Sequence, residues 1–287
     1  VDTELARTFL SVVASGNFSN AANGLNVTQS TVSARIHALE ELLGCRLFVR
    51  NKAGTTLTHA GRQFQKHASI LVRTVEQARH DIGVARGFQA TLTVGGRFGL
   101  WDHLLLNWLP LMRERAPDVS VRAEVGFEAE LMQGLVEGRI DIGVMYTPQS
   151  RPGLTVEPLL EETLVLAATP EGERGGMGPG YVFIDWGPEF YARHSVLFPD
   201  HPGPAIAANI GWLGLQHILS AGGSGYFPLR VVRGLLAEGT LVRVAGAPEF
   251  ALLAYMVYPA DPGSDIIAAA IGAMRDVAGA EGGRRTD

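Results

Sequence analysis

Residues 59–86 contain no proline, and their apolar positions Phe64, Ala68, Leu71, Val75, Ala78 and Ile82 recur in alternating steps of four and three. That rhythm predicts a helix with a heptad seam from His59 to about Arg86, with Thr58 placed to cap it. Such a helix divides the chain into a part before it and a part after it. One copy of the chain offers little against which to bury the seam. Pairing with a second copy is the economical solution, so Phe64, Leu71, Val75, Ala78 and Ile82 are the expected dimerisation positions.

The two parts differ in charge. Residues 1–90 hold ten Lys+Arg against six Asp+Glu, whereas the remainder holds 14 against 23, within a total of −5. A basic N-terminal part beside an acidic C-terminal part suits a chain whose first domain alone meets a polyanion. A sequence-indifferent DNA-coating protein would be basic throughout. One cysteine, Cys45, leaves no partner for an intramolecular disulfide and no multi-thiolate zinc site. No run of eighteen apolar residues occurs and the first residues lack a signal-peptide pattern, so no membrane association and a cytoplasmic address are expected.

Before the long helix, Leu5, Phe9, Leu10 and Val13 form one helical stripe that Gly16-Asn17 stops. Ser19 is placed to cap a short helix carrying Ala21, Ala22 and Leu25. Asn26-Val27 is a tight turn, and Thr28 caps a third helix from Gln29 to about Leu43, ended by Gly44. Val32, Ile36, Leu39 and Leu43 are its inward positions. Two short helices around a tight turn, the second polar at its exposed start, make a helix-turn-helix. The runs Arg46–Arg50 and Leu57-Thr58 around a Lys/Gly turn read as a β-wing.

After residue 91 the pattern alternates. Strands are expected at Thr91–Gly95, Val119–Val125 and Ile140–Met145, with helices at Trp101–Arg115 and Glu128–Glu137 between them. A second unit reads over Tyr181–Asp185, Ala205–Ala208, Gly211–Ala221 and Gly225–Pro228. Another strand closes at Val257 and a last helix covers Asp265–Val277. Glu171–Gly180 is a Gly- and Pro-rich loop, and Gly282–Asp287 reads as a disordered tail.

Phe9, Ser19, Ala21-Ala22, Leu25, Thr28-Gln29-Ser30, Val32-Ser33, Ile36, Leu39-Glu40, Leu43-Gly44, Leu47-Phe48, Arg50, Leu57-Thr58 and Ala60-Gly61 stand in an order that resembles the DNA-binding domain of LysR-type transcription regulators. Asp141-Ile142-Gly143 and Gly222–Pro228 extend the resemblance toward the C-terminus. Leu100-Trp101 and Asp185-Trp186-Gly187-Pro188 are similar to a branch that includes the HdfR-type regulator of flagellar genes. The sequence departs from the family pattern at Ala34, where a longer polar side chain is frequent, and at Cys45, read as a small buried substitute for an aliphatic residue.

The resemblance implies an α/β chain: an N-terminal winged helix-turn-helix (1–58), a linker and dimerisation helix (59–90), and a two-lobed effector-binding domain of periplasmic-binding-protein type (91–287). Lobe I would hold about 91–161 and 262–281, and lobe II about 162–261. Two crossing strands would hinge the lobes, with a small-molecule effector between them. The implied partners are double-stranded DNA, the effector, further copies in a homodimer or homotetramer, and RNA polymerase if the chain activates.

On a recognition helix, Gln29 can address adenine with two hydrogen bonds, and the hydroxyls of Thr28, Ser30, Thr31 and Ser33 can meet a base or a phosphate. Arg35 and His37, with Arg50 and Lys52 on the wing, can reach phosphates; Arg50 can instead enter the minor groove. Open α/β sheets bind ligands at the C-terminal ends of their strands. That rule selects Arg97, Phe98, Gly99, Leu100 and Trp101 after the first strand, Tyr146, Thr147 and Pro148 after the third, and Trp186, Asn209 and Phe227 from the second lobe. Arg97 and a helix N-terminus favour a small anion. Gly95–Gly99 lacks the GxGxxG spacing and acidic partner of a dinucleotide site, the histidines lack metal-ligand spacing, and no catalytic constellation stands out. No cofactor, no metal and no enzymatic activity are expected.

Overall fold

A computed structural model describes residues 1–51, 54–82, 87–172, 176–261 and 264–283. Helix α1 (Thr3–Ser15) opens on Asp2, whose side chain accepts from the Leu5 amide at 2.8 Å, and ends at Gly16 in the left-handed region. Helix α2 (Phe18–Gly24) starts earlier than Ser19 would allow: Asn17 is the cap, accepting from Asn20 N at 2.7 Å. Asn26 turns the chain at φ 53° into α3 (Gln29–Leu43), capped by Thr28 and closed by Gly44. Val32, Ile36 and Leu39 are buried as expected. Leu43 is not, because the fourth buried position belongs to Glu40. The wing is an antiparallel pair, β1 (Phe48–Asn51) and β2 (Gly54–Leu57); Lys52 at its turn lies outside the described residues. Cys45, expected buried, is exposed.

Helix α4 (His59–Ile82) begins on the Thr58 hydroxyl, which accepts from Gly61 N at 2.9 Å and donates to Arg46 O at 2.7 Å. Only glycine fits at 61, since a Cβ there would lie 2.2 Å from the Leu47 carbonyl oxygen. The first half of the seam is not left bare. Phe64 meets Phe9 edge-on at 5.0 Å, Ala68 and Val72 are fully buried, and Leu71 packs on the same core as α1 and α3. Val75 is half-buried and Ala78 exposed; the side chain of Ile82 and residues 83–86 lie outside the described residues.

Beyond it, β3 (Ala90–Gly96) pairs in parallel with β4 (Val119–Val125) and β5 (Ile142–Met145). Helix α7 (Glu128–Glu137) covers this sheet through Leu131, Met132 and Leu135. The continuous helix expected at 101–115 is broken. A three-residue turn of helix, α5 (Phe98–Leu100), is followed by an irregular stretch in which His103 takes φ 63°, and only then by α6 (Leu106–Arg115). Trp108 remains buried, its Nε1 donating to Ala270 O at 3.1 Å on α11 (Asp265–Gly283). Residues 282 and 283, expected in a tail, close α11.

One strand of fifteen residues, β6 (Leu154–Ala168), joins the lobes. Its first part lies antiparallel to β11 (Phe250–Pro259), which also pairs with β5. Its last part pairs with β9 (Ser224–Pro228) and β10 (Val242–Arg243). Periodicity alone misses β6 because Pro158 interrupts it. Pro158 faces Tyr255 where the register shifts between Ala254 and Tyr255, and proline enters a sheet at such irregularities. Beyond that shift Tyr255, Met256 and Val257 pair with Met145, Val144 and Gly143 of β5. The second lobe adds the parallel pair β7 (Val182–Ile184) and β8 (Ile206–Ala208), with helices α8 (Pro188–Leu197), α9 (Gly211–Ala221) and α10 (Leu229–Ala237).

The second lobe carries a titratable group in an aromatic core. His194 is 6% exposed, with the Tyr181 hydroxyl 2.8 Å from Nε2 and the rings of Phe183, Phe190 and Phe198 within 5.4 Å. Burial, then the neighbouring His201, lowers its pKa. The unfolded chain therefore takes up a proton that the folded one resists, and stability falls as pH drops through about 6.5. The melting temperature is expected to fall between about pH 7 and pH 5.5, and His194→Gln to flatten that dependence in calorimetry. An equally steep dependence in the variant would assign the effect to other groups.

Candidate nucleic-acid interface and effector cleft

The start of α3 carries the first candidate site. Gln29 and Ser30 are exposed, while Thr31 and Ser33 are half-buried on the same turns. Thr28 Oγ1 accepts from Thr31 N at 3.2 Å and lies 2.8 Å from the hydroxyls of Ser30 and Thr31, so three hydroxyls form one polar knot at the helix start. Arg35 is not offered to solvent as expected. It reaches back to α1, 3.1 Å from Glu4 and 3.3 Å from the Thr8 hydroxyl, so its charge is partly spent within the domain. His37 is exposed beside Glu41 at 3.4 Å. Between α3 and the wing runs an open groove of about 760 Å³ lined by Ser33, Ala34, His37, Arg46 and Val49.

Sequence reasoning missed the residue that sets this groove's shape. Glu40 Oε1 accepts from Leu47 N at 2.7 Å and Phe48 N at 3.3 Å, and Oε2 accepts from Arg46 at 2.9 Å. A buried carboxylate thus ties the end of α3 to the first wing strand. Only the family pattern marked Glu40; spacing gave no signal, since its partners lie beyond the helix. The backbone of Arg50 stands on β1 opposite Thr55, and its side chain lies outside the described residues.

The second site is a cavity of about 900 Å³ between the lobes, a size suited to a small molecule. Of the expected residues, Arg97, Thr147, Trp186 and Asn209 line it. A narrower extension of about 140 Å³ adds Phe98, Gly99 and Tyr146. Leu100 and Phe227 line neither space: both are fully buried in the core of this domain. Trp101 is also buried and donates to Glu124 O at 2.8 Å; it fronts a separate groove of about 520 Å³ beside Trp212 and Arg230. Pro148 is half-buried and lines none of these spaces. Phe127 and Glu128 at the start of α7, with Phe183, Asp185 and Tyr191 from the second lobe, complete the cleft and were not foreseen as lining residues.

Electrostatics alter the expectation for Arg97. Its guanidinium is 3.5 Å from Glu128, donates to Asn209 O across the cleft at 3.3 Å, and lies 4.5 Å over the Phe127 ring. The helix N-terminus expected at 101 is lost to the irregular turn. Those of α7 and α9 flank the cleft instead, and no side chain caps α9.

Below the floor of the cleft lies a buried ionic network. Arg230, on α10, is 2.6 Å from Glu162 on the crossing strand and donates to Gly99 O at 2.8 Å and to Asp102 O. Both charged side chains are buried, and the Tyr146 hydroxyl donates to Glu162 at 2.7 Å. Burial pulls the Arg230 guanidinium down, but Glu162 and Tyr146 outweigh it, and its pKa ends above the ordinary value. Burial and then Glu162 hold Tyr146 protonated well beyond the usual phenol range. The network joins the loop of the first lobe to a helix of the second.

Two family models match the chain: the bacterial regulatory helix-turn-helix protein of the lysR family over residues 3–62, and the LysR substrate binding domain over residues 85–177. Together they span more than half of it. The chain belongs to the LysR family of bacterial transcription regulators. It is a LysR-type DNA-binding regulator with an effector-binding domain. HdfR of Yersinia pestis is 28% identical over 240 residues, covering 79% of this chain and 81% of the relative. Among solved structures, ArgP from Mycobacterium tuberculosis aligns with a TM-score of 0.59 at 22% identity, covering 97% of both chains. LysG from Corynebacterium glutamicum, with arginine bound as effector, aligns at 0.59 and 19% identity, covering 97% of this chain and 98% of its own. CbnR in complex with its target DNA aligns at 0.52 and 21% identity, over 97% and 100%. These likenesses establish the LysR-type fold from winged helix to two-lobed domain. No described helix is long and apolar enough to cross a membrane.

Proposed function

We propose that this LysR-type regulator reads an operator through the first turns of α3 and that a small molecule between its lobes modulates the outcome. The observation that carries the reading is the exposed start of α3, where Gln29 and Ser30 project from a helix-turn-helix whose opposite face is fully packed. Gln29, Ser30 and Ser33 are assigned base edges, and Thr28 and Thr31 adjacent phosphates. Arg50, Lys52 and His37 supply backbone contacts, with Arg35 in a supporting role against Glu4. The DNA-binding, linker and effector-binding parts are assigned to residues 1–58, 59–90 and 91–287.

The second half of the α4 seam, where Val75 is half-buried and Ala78 exposed, supports a homodimer, with a homotetramer as its doubling. RNA polymerase is a partner if the outcome is activation, and a cytoplasmic address follows from the DNA partner. In the cleft, the effector is assigned to Arg97, Thr147, Trp186 and Asn209, extended by Phe98, Gly99 and Tyr146. A small anion at Arg97 has to displace Glu128 to bind.

Two substitutions separate base reading from charge. Lys52→Ala is expected to weaken binding to all duplexes alike and to flatten the salt dependence by about one unit. Gln29→Ala is expected to relax preference at one position per half-site, by about 1–3 kcal/mol. Titrations of matched and mismatched duplexes across salt measure both. Equal losses on every sequence from Gln29→Ala would remove it from base recognition.

A further inference from the structure

We propose that the effector carries a cationic group, an amine or a guanidinium, and that Asp185 is its counter-ion in the cleft. This rests on the reading of the inter-lobe cavity as the effector site.

Among the described residues, three charged side chains line the large cavity: Arg97 and Glu128 from the first lobe and Asp185 from the second. Arg97 and Glu128 already face each other at 3.5 Å, and Arg97 is further held by Asn209 O and the Phe127 ring. Its side chain is 13% exposed. An incoming carboxylate must therefore break an existing pair, then remain in a cleft whose other acid is unneutralised. Asp185 is exposed, and among the described residues no Lys, Arg or His lies within ion-pair distance of it. Its Oδ1 accepts from Gly187 N at 3.0 Å, which fixes the carboxylate at the entrance to α8 and leaves Oδ2 with no partner among the described residues.

The walls around that carboxylate suit the same guest. Phe183, Trp186 and Tyr191 line the cavity with Asp185, and aromatic faces attract ammonium and guanidinium groups. The Trp186 indole N–H is spent on Tyr226 O at 2.9 Å, so this ring offers the cleft only carbon surface. Gly187, at φ 112°, carries the chain from Asp185 into α8 close to Thr147, where a Cβ would approach the threonine methyl at 3.4 Å. The Asp185-Trp186-Gly187-Pro188 run thus builds a rigid acidic and aromatic corner.

The test uses the 287-residue chain and matched probes: cadaverine, agmatine, L-lysine and L-arginine against hexanoate, glutarate and benzoate. Calorimetric titration is expected to detect at least one cationic probe and to show its affinity reduced at least tenfold in Asp185→Asn, with unchanged melting of the ligand-free variant. Trp186→Phe should keep binding while Tyr191→Ala weakens it. Binding of carboxylates alone, lost in Arg97→Ala, would overturn the cationic assignment and leave the cleft standing. A cationic probe that binds Asp185→Asn and Tyr191→Ala as it binds wild type would place its site elsewhere and overturn both. Absence of binding by every cationic probe would likewise overturn the assignment.

Discussion

Arg230→Met is expected to destabilise the effector-binding domain by about 3–5 kcal/mol, the cost of stranding one member of a buried ion pair. In the native chain Arg230 satisfies Glu162 and two carbonyls, Gly99 O and Asp102 O, from the other lobe. Methionine fills much of the space but leaves the Glu162 carboxylate with only the Tyr146 hydroxyl for a partner. Part of the loss should return when Glu162 is also replaced by Met, because the double change removes both charges and their desolvation cost. Urea unfolding of the single and double variants measures this coupling. A single variant within 1 kcal/mol of wild type would mean that the network does not hold the lobes together.

Glu40→Ala should be nearly as damaging, and its effect should fall on the winged helix. Removing the carboxylate leaves the buried Leu47 and Phe48 amides without an acceptor, at about 1–3 kcal/mol each. Phe48 is the hub of the small core, meeting Phe9 at 5.1 Å and Phe18 at 5.9 Å, so a loosened β1 also disturbs the base of α3. DNA affinity is expected to fall with stability even though Glu40 touches no DNA. Glu40→Gln, which keeps one acceptor oxygen for the two amides, should lose distinctly less. Circular dichroism melting with DNA titration separates the cases, and similar losses for Gln and Ala would show that charge, not the amide acceptor, is what matters.

The legible parts of this chain are those specified by neighbours in sequence. Thr28 caps α3 from one residue away, Gly44 ends it, and the buried faces of α1 and α3 follow helical spacing. The residues misread depend on distant partners. Arg35 is drawn to α1, Glu40 to the wing, and the first half of the α4 seam to Phe9. In the cleft, strand ends marked Arg97, Thr147 and Asn209, because a parallel sheet brings those ends together. Phe227 pairs with Val165 on a strand whose every residue is buried, so no alternation distinguished it, and no local pattern marked Glu128 at a helix start. Helix α8, with Tyr191, was missed because its Pro188–Leu197 stretch carries a weak apolar stripe.

Selection of bound duplexes from a random pool by the wild-type chain tests the central claim most directly. The homodimer proposed through α4 should enrich an inverted repeat whose half-sites lie about one helical turn, or a multiple of it, apart. The enriched duplex should outcompete the starting pool by at least about a thousandfold at near-physiological salt. A pool that stays unenriched while the protein still binds DNA in proportion to falling salt would contradict the account, because it would leave only contacts with phosphate.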